Sequence, residues 1–420
     1  MRPTSIKPLI VAGALAALLA VGSAKGGAAP ASREAGPTIT IGAALDISAG
    51  WTALGRASRV TLQLAAADAN AALKRANSPV RVRLQIVDTH GTQPGAVNAV
   101  RTLARRNARY IIGPPTSSGI RAVKDEARRL GVVVISQGST AHSLAIAGDN
   151  VFRFLPDDVR EGEALVALLR RHKVDAIVPV WREDAGNAGL EASVRRLFTK
   201  AGGKVSSGAP YGESSPNFGA VVTAAAAQAA SLRAAGAKHV GVYLAAFDEV
   251  VDLFHAAAGN ATLAALPWYG SDGVAHTTRL LGDRRAATFA RRVAYPNPTV
   301  GLPDPVLRRA RPLVVRTRAR LGRAPDALAL TAYDALRIAV AAQQQAAPGA
   351  RGLRRALIAT ANGYVGVTGK MILNPAGDRA YGSFDFWSIC RSGSKFRWKR
   401  TAEYVARGVG AGRIVGNGRC

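Results

Sequence analysis

The sequence predicts an α/β protein made of two doubly wound parallel-sheet lobes, and three observations carry that prediction. From Thr38 onward, short β-rich runs alternate with longer Ala/Leu-rich runs of helical periodicity. The alternation starts afresh after Asp157, which gives more strands than one small sheet holds. The chain has 420 residues, 48% hydrophobic and 20% charged, enough apolar material for more than one core. A disordered chain carries far fewer apolar residues.

The first series reads as strand Thr38–Leu45, helix Leu54–Leu73, strand Val80–Val87 and helix Ala96–Ala108. Strand Tyr110–Ile112, helix Ser118–Leu130 and strand Val132–Ile135 complete it. The second series reads as helix Val159–Arg171, strand Ala176–Trp181, helix Gly189–Ala201 and strand Lys204–Ser207. Helix Phe218–Ala235, strand His239–Leu244, helix Asp248–Ala258 and strand Leu266–Tyr269 follow. Strands separated by helices imply right-handed βαβ units and parallel sheets. The third section differs, with helices Asp304–Leu321, Pro325–Ala346 and Leu353–Thr360. After them come strands Gly369–Leu373 and Tyr381–Ile389, joined by the turn Asn374–Asp378.

Pro- or Gly-bearing segments at Phe154–Asp158, Val293–Thr299 and Gly363–Gly369 are candidate crossings between the lobes. Residues 38–156 plus 297–366 would form the first lobe, and 157–296 plus 367–390 the second. Three crossings make a three-strand hinge, with ligand in the cleft at the carboxyl ends of the strands. Residues 391–420 read as a basic tail.

Residues 1–24 have the order of a secretory signal peptide. Arg2 and Lys7 precede the apolar run Leu9–Val21, and Gly22-Ser23-Ala24 supplies small residues for cleavage. Residues 25–37 follow as a flexible leader, and no cysteine near the cleavage point suggests a lipid anchor. The expected location is the periplasm or the outer face of the cytoplasmic membrane. In an exported protein the cysteine pair Cys390 and Cys420 is expected to form a disulfide, worth roughly 3–4 kcal/mol in the loop-entropy account. Two free thiols are the alternative.

The formal net charge is +29, mostly arginine. Clusters fall at Arg101–Arg109, at Arg308–Arg323 and after Cys390. A basic surface of this kind suits anionic envelope polymers as well as nucleic acid. No zinc-finger spacing, RNP-like aromatic block or basic zipper accompanies it, so nucleic acid is not an expected partner.

Enzyme signatures are absent from the sequence. It has no phosphate loop, no His-Glu-x-x-His and no Gly-x-Ser-x-Gly elbow. The six histidines never fall three or four apart, so no helical metal pair arises, and neither metal nor cofactor is expected. The glycine string Gly408–Gly412 has no helix after it and makes a poor dinucleotide loop. Three strand-end loops remain. Gly113–Gly119 opens a helix, and its amide N–H groups with Ser117 suit a carboxylate or phosphate, unless Ser117 is merely the helix cap. Ser136–Thr140 ends the next strand, so the two loops lie side by side. Gly270–Gly273 ends a strand of the second series and offers Asp272 to an ammonium, with a plain turn role as the alternative.

With these loops the chain resembles the periplasmic solute-binding proteins of branched-chain amino acid ABC transporters, the leucine/isoleucine/valine-binding type. The resemblance runs over Thr38–Ile389. It rests on Ile39–Gly55, Val87-Asp88 with Pro94–Val97, Ile112–Ser118, Val133–Thr140, Leu330–Ala339, Gly366–Thr368, Asn374–Arg379, Phe384 and Ile389. It implies a type I periplasmic binding fold that closes on a small amino acid or related zwitterion and passes it to a membrane ABC permease, without catalysis and as a monomer. By the same resemblance, Ser117, Gly138 (through its N–H), Ser139 and Thr140 hold the ligand carboxylate. Asp272 holds the ammonium, Phe247 replaces an aromatic that is tyrosine in many members, and Trp51 and Leu54 line the side-chain pocket. The family's tyrosine-glycine pair is here Gly186-Asn187, a change expected to remove an aromatic wall and enlarge the cleft. Amides, urea and aromatic acids therefore stay open as ligands. So do a sensing role and an envelope-associated role for the basic tail.

Overall fold

The computed structural model describes residues 36–214 and 216–420, and residues 37–420 pack as one compact unit. The expected signal peptide lies outside the described residues, as does the leader apart from its last two residues.

The first series forms β1 (Thr38–Leu45), α1 (Thr52–Arg75), β2 (Arg81–Asp88), α2 (Gln93–Arg105), β3 (Tyr110–Ile112), α3 (Ser117–Leu130), β4 (Val133–Ser136) and β5 (Val151–Arg153). These strands make one parallel sheet in the order β2-β1-β3-β4-β5. Both faces are covered, so β3 and β4 are buried along their whole length, the signature of a parallel sheet between helices. The short β5 escapes sequence reading because three residues after a polar loop carry no usable periodicity.

The second series forms α4 (Asp158–Arg171), β6 (Ala176–Arg182), α5 (Ala185–Lys200), β7 (Lys204–Val205), β8 (Ala209–Tyr211), α6 (Phe218–Ala234), β9 (Val240–Ala245), α7 (Val250–Ala257), α8 (Ala261–Ala264), β10 (Trp268–Tyr269), α9 (Thr278–Gly282) and α10 (Arg284–Arg292). Its parallel sheet runs β10-β9-β6-β7, and β8 also pairs with β6. Asp157, Asp184 and Asp283 cap α4, α5 and α10 by accepting first-turn N–H groups, which starts each helix at a defined residue.

The third section forms β11 (Asn297–Gly301), α11 (Asp304–Leu321), α12 (Ala327–Gln345), α13 (Gly349–Gly363), β12 (Val365–Gly366), β13 (Gly369–Lys370), β14 (Ser383–Ser392), β15 (Lys395–Gly408) and β16 (Ala411–Gly416). Helix α12 is buried along most of its length and packs with Ile41, Tyr110 and Ile135 of the first sheet. The antiparallel sheet β11-β14-β15-β16 lies beside α4 and α10.

Residues 391–420, expected as a tail, are thus the last strands of a sheet. Phe396 and Trp398 pack against the second core while Lys395, Arg397 and Lys399 stay exposed, an alternation masked by its charge. The Gly408–Gly412 string is the turn between β15 and β16, where a Cβ on Gly412 would lie 2.2 Å from the Tyr404 ring. Cys390 and Cys420 are joined by a disulfide that holds the chain end against β14.

The segment Gly363–Gly369, expected as a crossing, is bound to α12. Asp334 of α12 accepts the N–H groups of Val367 (3.0 Å) and Thr368 (2.8 Å), folding β12 and β13 into a hairpin. Met371 is then buried in the first core, which shortens the strand expected over Gly369–Leu373.

Arg153 ends β5 and is 1% exposed. Its Nε donates to Asp378 at 2.7 Å, and its Nη1 donates to the Ala141 carbonyl at 2.5 Å. Removing one member of such a pair strands a buried charge. Asp378→Ala is therefore expected to lower stability by about 3–5 kcal/mol in urea unfolding. The paired change Arg153→Met with Asp378→Leu should recover most of that loss, and a loss below about 1 kcal/mol for Asp378→Ala would show the pair to be solvated.

Candidate ligand-binding cleft

Parallel strands deliver the loops after β3, β4, β6, β9 and β10 to one edge of each sheet. These loops, with Trp51 from the loop after β1, enclose a narrow cleft of about 20 Å³ lined by Trp51, Thr116, Ser117, Gly138, Thr140, Gly186, Asn187, Leu190, Phe247 and Asp272. It adjoins a wider mouth of about 640 Å³, and Thr116 and Phe247 line both.

On the first-sheet side, Thr116 rather than Ser117 caps α3, accepting the Gly119 N–H at 3.1 Å. The Ser117 hydroxyl is thereby free to organise the neighbouring loop. It accepts the N–H groups of Thr140 (3.3 Å) and Ala141 (3.2 Å) and bonds the Ser139 hydroxyl at 3.0 Å. Ser139 is fully buried behind Ser117 and does not line the cleft. Gly138 lines it, but its N–H donates to the Ser136 hydroxyl at 3.3 Å. A Cβ at Gly138 would sit 2.5 Å from the Pro115 carbonyl oxygen, so close approach of the two loops requires glycine there.

The opposite wall belongs to the second sheet. Asp184 accepts the N–H groups of Gly186 (2.8 Å) and Asn187 (3.1 Å), fixing the first turn of α5 against the cleft. A Cβ on Gly186 would lie 3.7 Å from the Ser117 side chain. At this point the two walls stand within van der Waals reach of each other, so the cleft is narrow beside Gly186. Trp51 and Phe247 meet with ring centroids 5.7 Å apart, and the Arg182 guanidinium sits 4.6 Å from the Phe247 centroid. Leu54 is buried in the core beneath Trp51 and does not line the cleft. Thr116, Asn187 and Leu190 complete the lining; a cap residue, an altered loop and an ordinary helix leucine gave little reason to single them out.

Under Asp272 lies a layer of acids that sequence reading missed. Glu161, 2% exposed, accepts the Asp272 N–H at 3.2 Å. Asp158 is fully buried, and neither of its oxygens has a well-formed hydrogen-bond partner among the described residues. The Tyr243 hydroxyl beside them is also buried and unpartnered. Burial pushes Asp272 up to about 7, with Asp184 adding to the effect. Burial likewise pushes Asp158 up to about 8, the nearby Thr140 hydroxyl and Arg153 opposing while Asp272 and Asp157 add. Glu161 rises well above the usual carboxyl range through burial and the nearby Asp272 and Asp158. The cleft thus has hydroxyls on one wall, and on the other carboxyls short of positive charge. Among the described residues no group of His, Cys, Asp and Glu has an arrangement that could hold a metal ion.

Comparison with known proteins follows the same lines. The isoleucine complex of the branched-chain amino acid transporter substrate-binding protein LivJ of Streptococcus pneumoniae superposes with a TM-score of 0.69 at 18% identity, covering 90% of this chain and 99% of that one. The leucine-binding protein LivK of Thermotoga maritima gives 0.70 at 19% identity over 86% and 97%. A solute-binding protein of R. palustris in complex with benzoate gives 0.67 at 18% identity over 90% and 98%. An uncharacterized protein of Methanocaldococcus jannaschii is 23% identical over 377 residues, 85% of this chain and 88% of that one. Residues 38–386 match the family described as periplasmic binding protein, with its parallel-sheet α/β architecture, and the chain belongs to that family.

Proposed function

We propose that the protein captures a small amino acid in this cleft on the outer side of the membrane and delivers it, as a monomer and without catalysis, to an ABC permease. One observation carries the reading. Ser117 and Thr140 from the first sheet, and Asp272 from the second, line one cleft. Hydroxyls on one wall and an acid on the other are the chemistry that the two ends of a zwitterion require. Trp51, Leu190 and Phe247 offer apolar contact to its side chain. The S. pneumoniae and T. maritima neighbours bind isoleucine and leucine, which supports the class. The benzoate-binding neighbour supports it less, because a bare carboxylate leaves Asp272 without a partner.

The two walls belong to two lobes. One is built on the first sheet with α11–α13, and the other on the second sheet with β11 and β14–β16. The chain would pass between them at 154–157, 302–303 and 380–382. Only the closed form satisfies both ends of a zwitterion, so ligand shifts the hinge through contacts that the open form lacks.

A thermal-shift screen of stripped protein against the twenty amino acids, short amides, urea and benzoate tests the class. A ligand at 100 times its Kd adds about 2.7 kcal/mol, a visible rise in Tm. Asp272→Ala should weaken the best amino acid by roughly 2–4 kcal/mol in calorimetric titration. Unchanged affinity would remove Asp272 from the site, and a response to benzoate or urea alone would replace the amino acid.

The buried acids add a pH dependence whose sign follows from their raised values. Below about pH 4 the carboxyls are protonated in both the folded and unfolded chain. Between about 4 and 7–8 the unfolded chain loses these protons while the folded chain keeps them, so stability falls as pH rises. Without ligand, Tm should decline from pH 5.5 to pH 8. A bound ammonium replaces the proton, so affinity for the amino acid should rise over the same interval. Titration in buffers of different ionisation enthalpy should detect proton release near pH 7, and flat profiles in both measurements would contradict this account.

A further inference from the structure

A second concavity lies at the opposite end of the second sheet. The cleft gathers loops that follow β6, β9 and β10, whereas this groove is bordered by Leu266 and Pro267, which precede β10, and by the last turn of α10. Its volume is about 560 Å³, and Arg291, Arg292 and Arg419 line it. None of these guanidinium groups has a carboxylate within 4.0 Å among the described residues. The flanking ion pairs, Arg279 with Asp252 and Arg400 with Asp385, leave all three out.

The groove is held in shape. Arg292 lies 5.2 Å over the Phe289 ring. The Cys390–Cys420 disulfide ties the neighbour of Arg419 to β14, and the Arg419 N–H donates to the Asn417 side chain at 3.0 Å. Across the β14–β15 ladder, Lys399 stands opposite Ser388 and Arg397 opposite Cys390, which adds two cations to the same face of the sheet. Gathering like charges around one concavity costs energy that an anion recovers, and the planar guanidinium fork suits phosphate oxygens. The large exposed apolar side chains, such as Val315, Val365 and Val409, lie outside the groove, so it offers no wedge for a bilayer.

We propose that this groove binds a linear phosphate-bearing polyanion and holds the protein by the end away from its cleft. The inference does not rest on what the cleft binds.

The test is anisotropy titration of fluorescently labelled inorganic polyphosphate with the full chain from low to high salt. The variant R291A/R292A/R419A is compared with R308A/R309A/R311A, which removes the same charge from α11. The groove variant should lose at least tenfold in affinity at low salt, and its log–log salt slope should fall by ~3, about one for each phosphate contact. The α11 variant should stay within twofold of the parent. Equal losses in the two would reduce the effect to net charge, and no loss in the first would remove the groove from binding; either overturns the proposal. Groove-dependent binding to phosphatidylglycerol vesicles in preference to polyphosphate would overturn it in favour of a lipid surface. The single variant R419E, at an exposed position, repeats the comparison if the triple variant does not fold.

Discussion

The buried guanidinium of Arg153 fixes three distant parts of the chain to one another. It ends β5, reaches Asp378 in the closing turn, and takes the carbonyl of Ala141 beside the cleft loop. Such a pair adds little net stability over an apolar packing of the same volume. Its effect is on register, because any slip of β5, the loop or the turn would leave a charge unpaired in the core. From this joint the chain passes to α4, whose Asp158 N–H donates to the Thr140 carbonyl at 2.8 Å. The position of Thr140 over the acid layer is thus inherited from an ion pair outside the cleft.

The acid layer has the opposite character. Asp158, Glu161 and Asp272 come together in a protein with 56 basic residues, yet none of them has a basic partner at ion-pair distance among the described residues. The nearby cation, Arg153, is committed to Asp378. Burial raises these carboxyls, and with no counter-charge at ion-pair distance a proton supplies the neutralisation. An ammonium does the same with directed hydrogen bonds. The cleft wall is thus electrostatically incomplete, a deficit that the proposed ammonium would fill.

The sequence made the parallel sheets legible because their interior strands are apolar throughout and their helices are amphipathic. Ser117, Thr140 and Asp272 could be singled out because each lies in a loop region just after a strand and because the order of loops resembles a known family. Other features depend on contacts that linear reading does not contain. Glu161 sits one turn into a helix and looks like a surface residue until α4 packs beneath Asp272. The last strands hid behind their lysines and arginines. How near Gly186 of α5 stands to Ser117 is likewise a contact between distant segments that the order of residues does not contain. Leu54 follows Trp51 on the same helix turn, yet its side chain enters the core.

The basic groove and the acidic cleft coexist because distance and salt separate them. Strand β9 has six residues, and at ~3.3 Å each it spans about 20 Å from one end of the second sheet to the other. The Debye length at physiological ionic strength is ~8 Å, so the field of a cation at one end is largely screened before it reaches the other. A net charge of +29 therefore does not repel an ammonium from the cleft, where local carboxyls in a low-dielectric wall dominate. The same screening would leave an anion in the groove with almost no influence on the protonation of Asp272. Surface charge and cleft chemistry are then independent variables: arginines on the outer strands can change without disturbing the cleft, whereas Asp158 and Glu161 cannot.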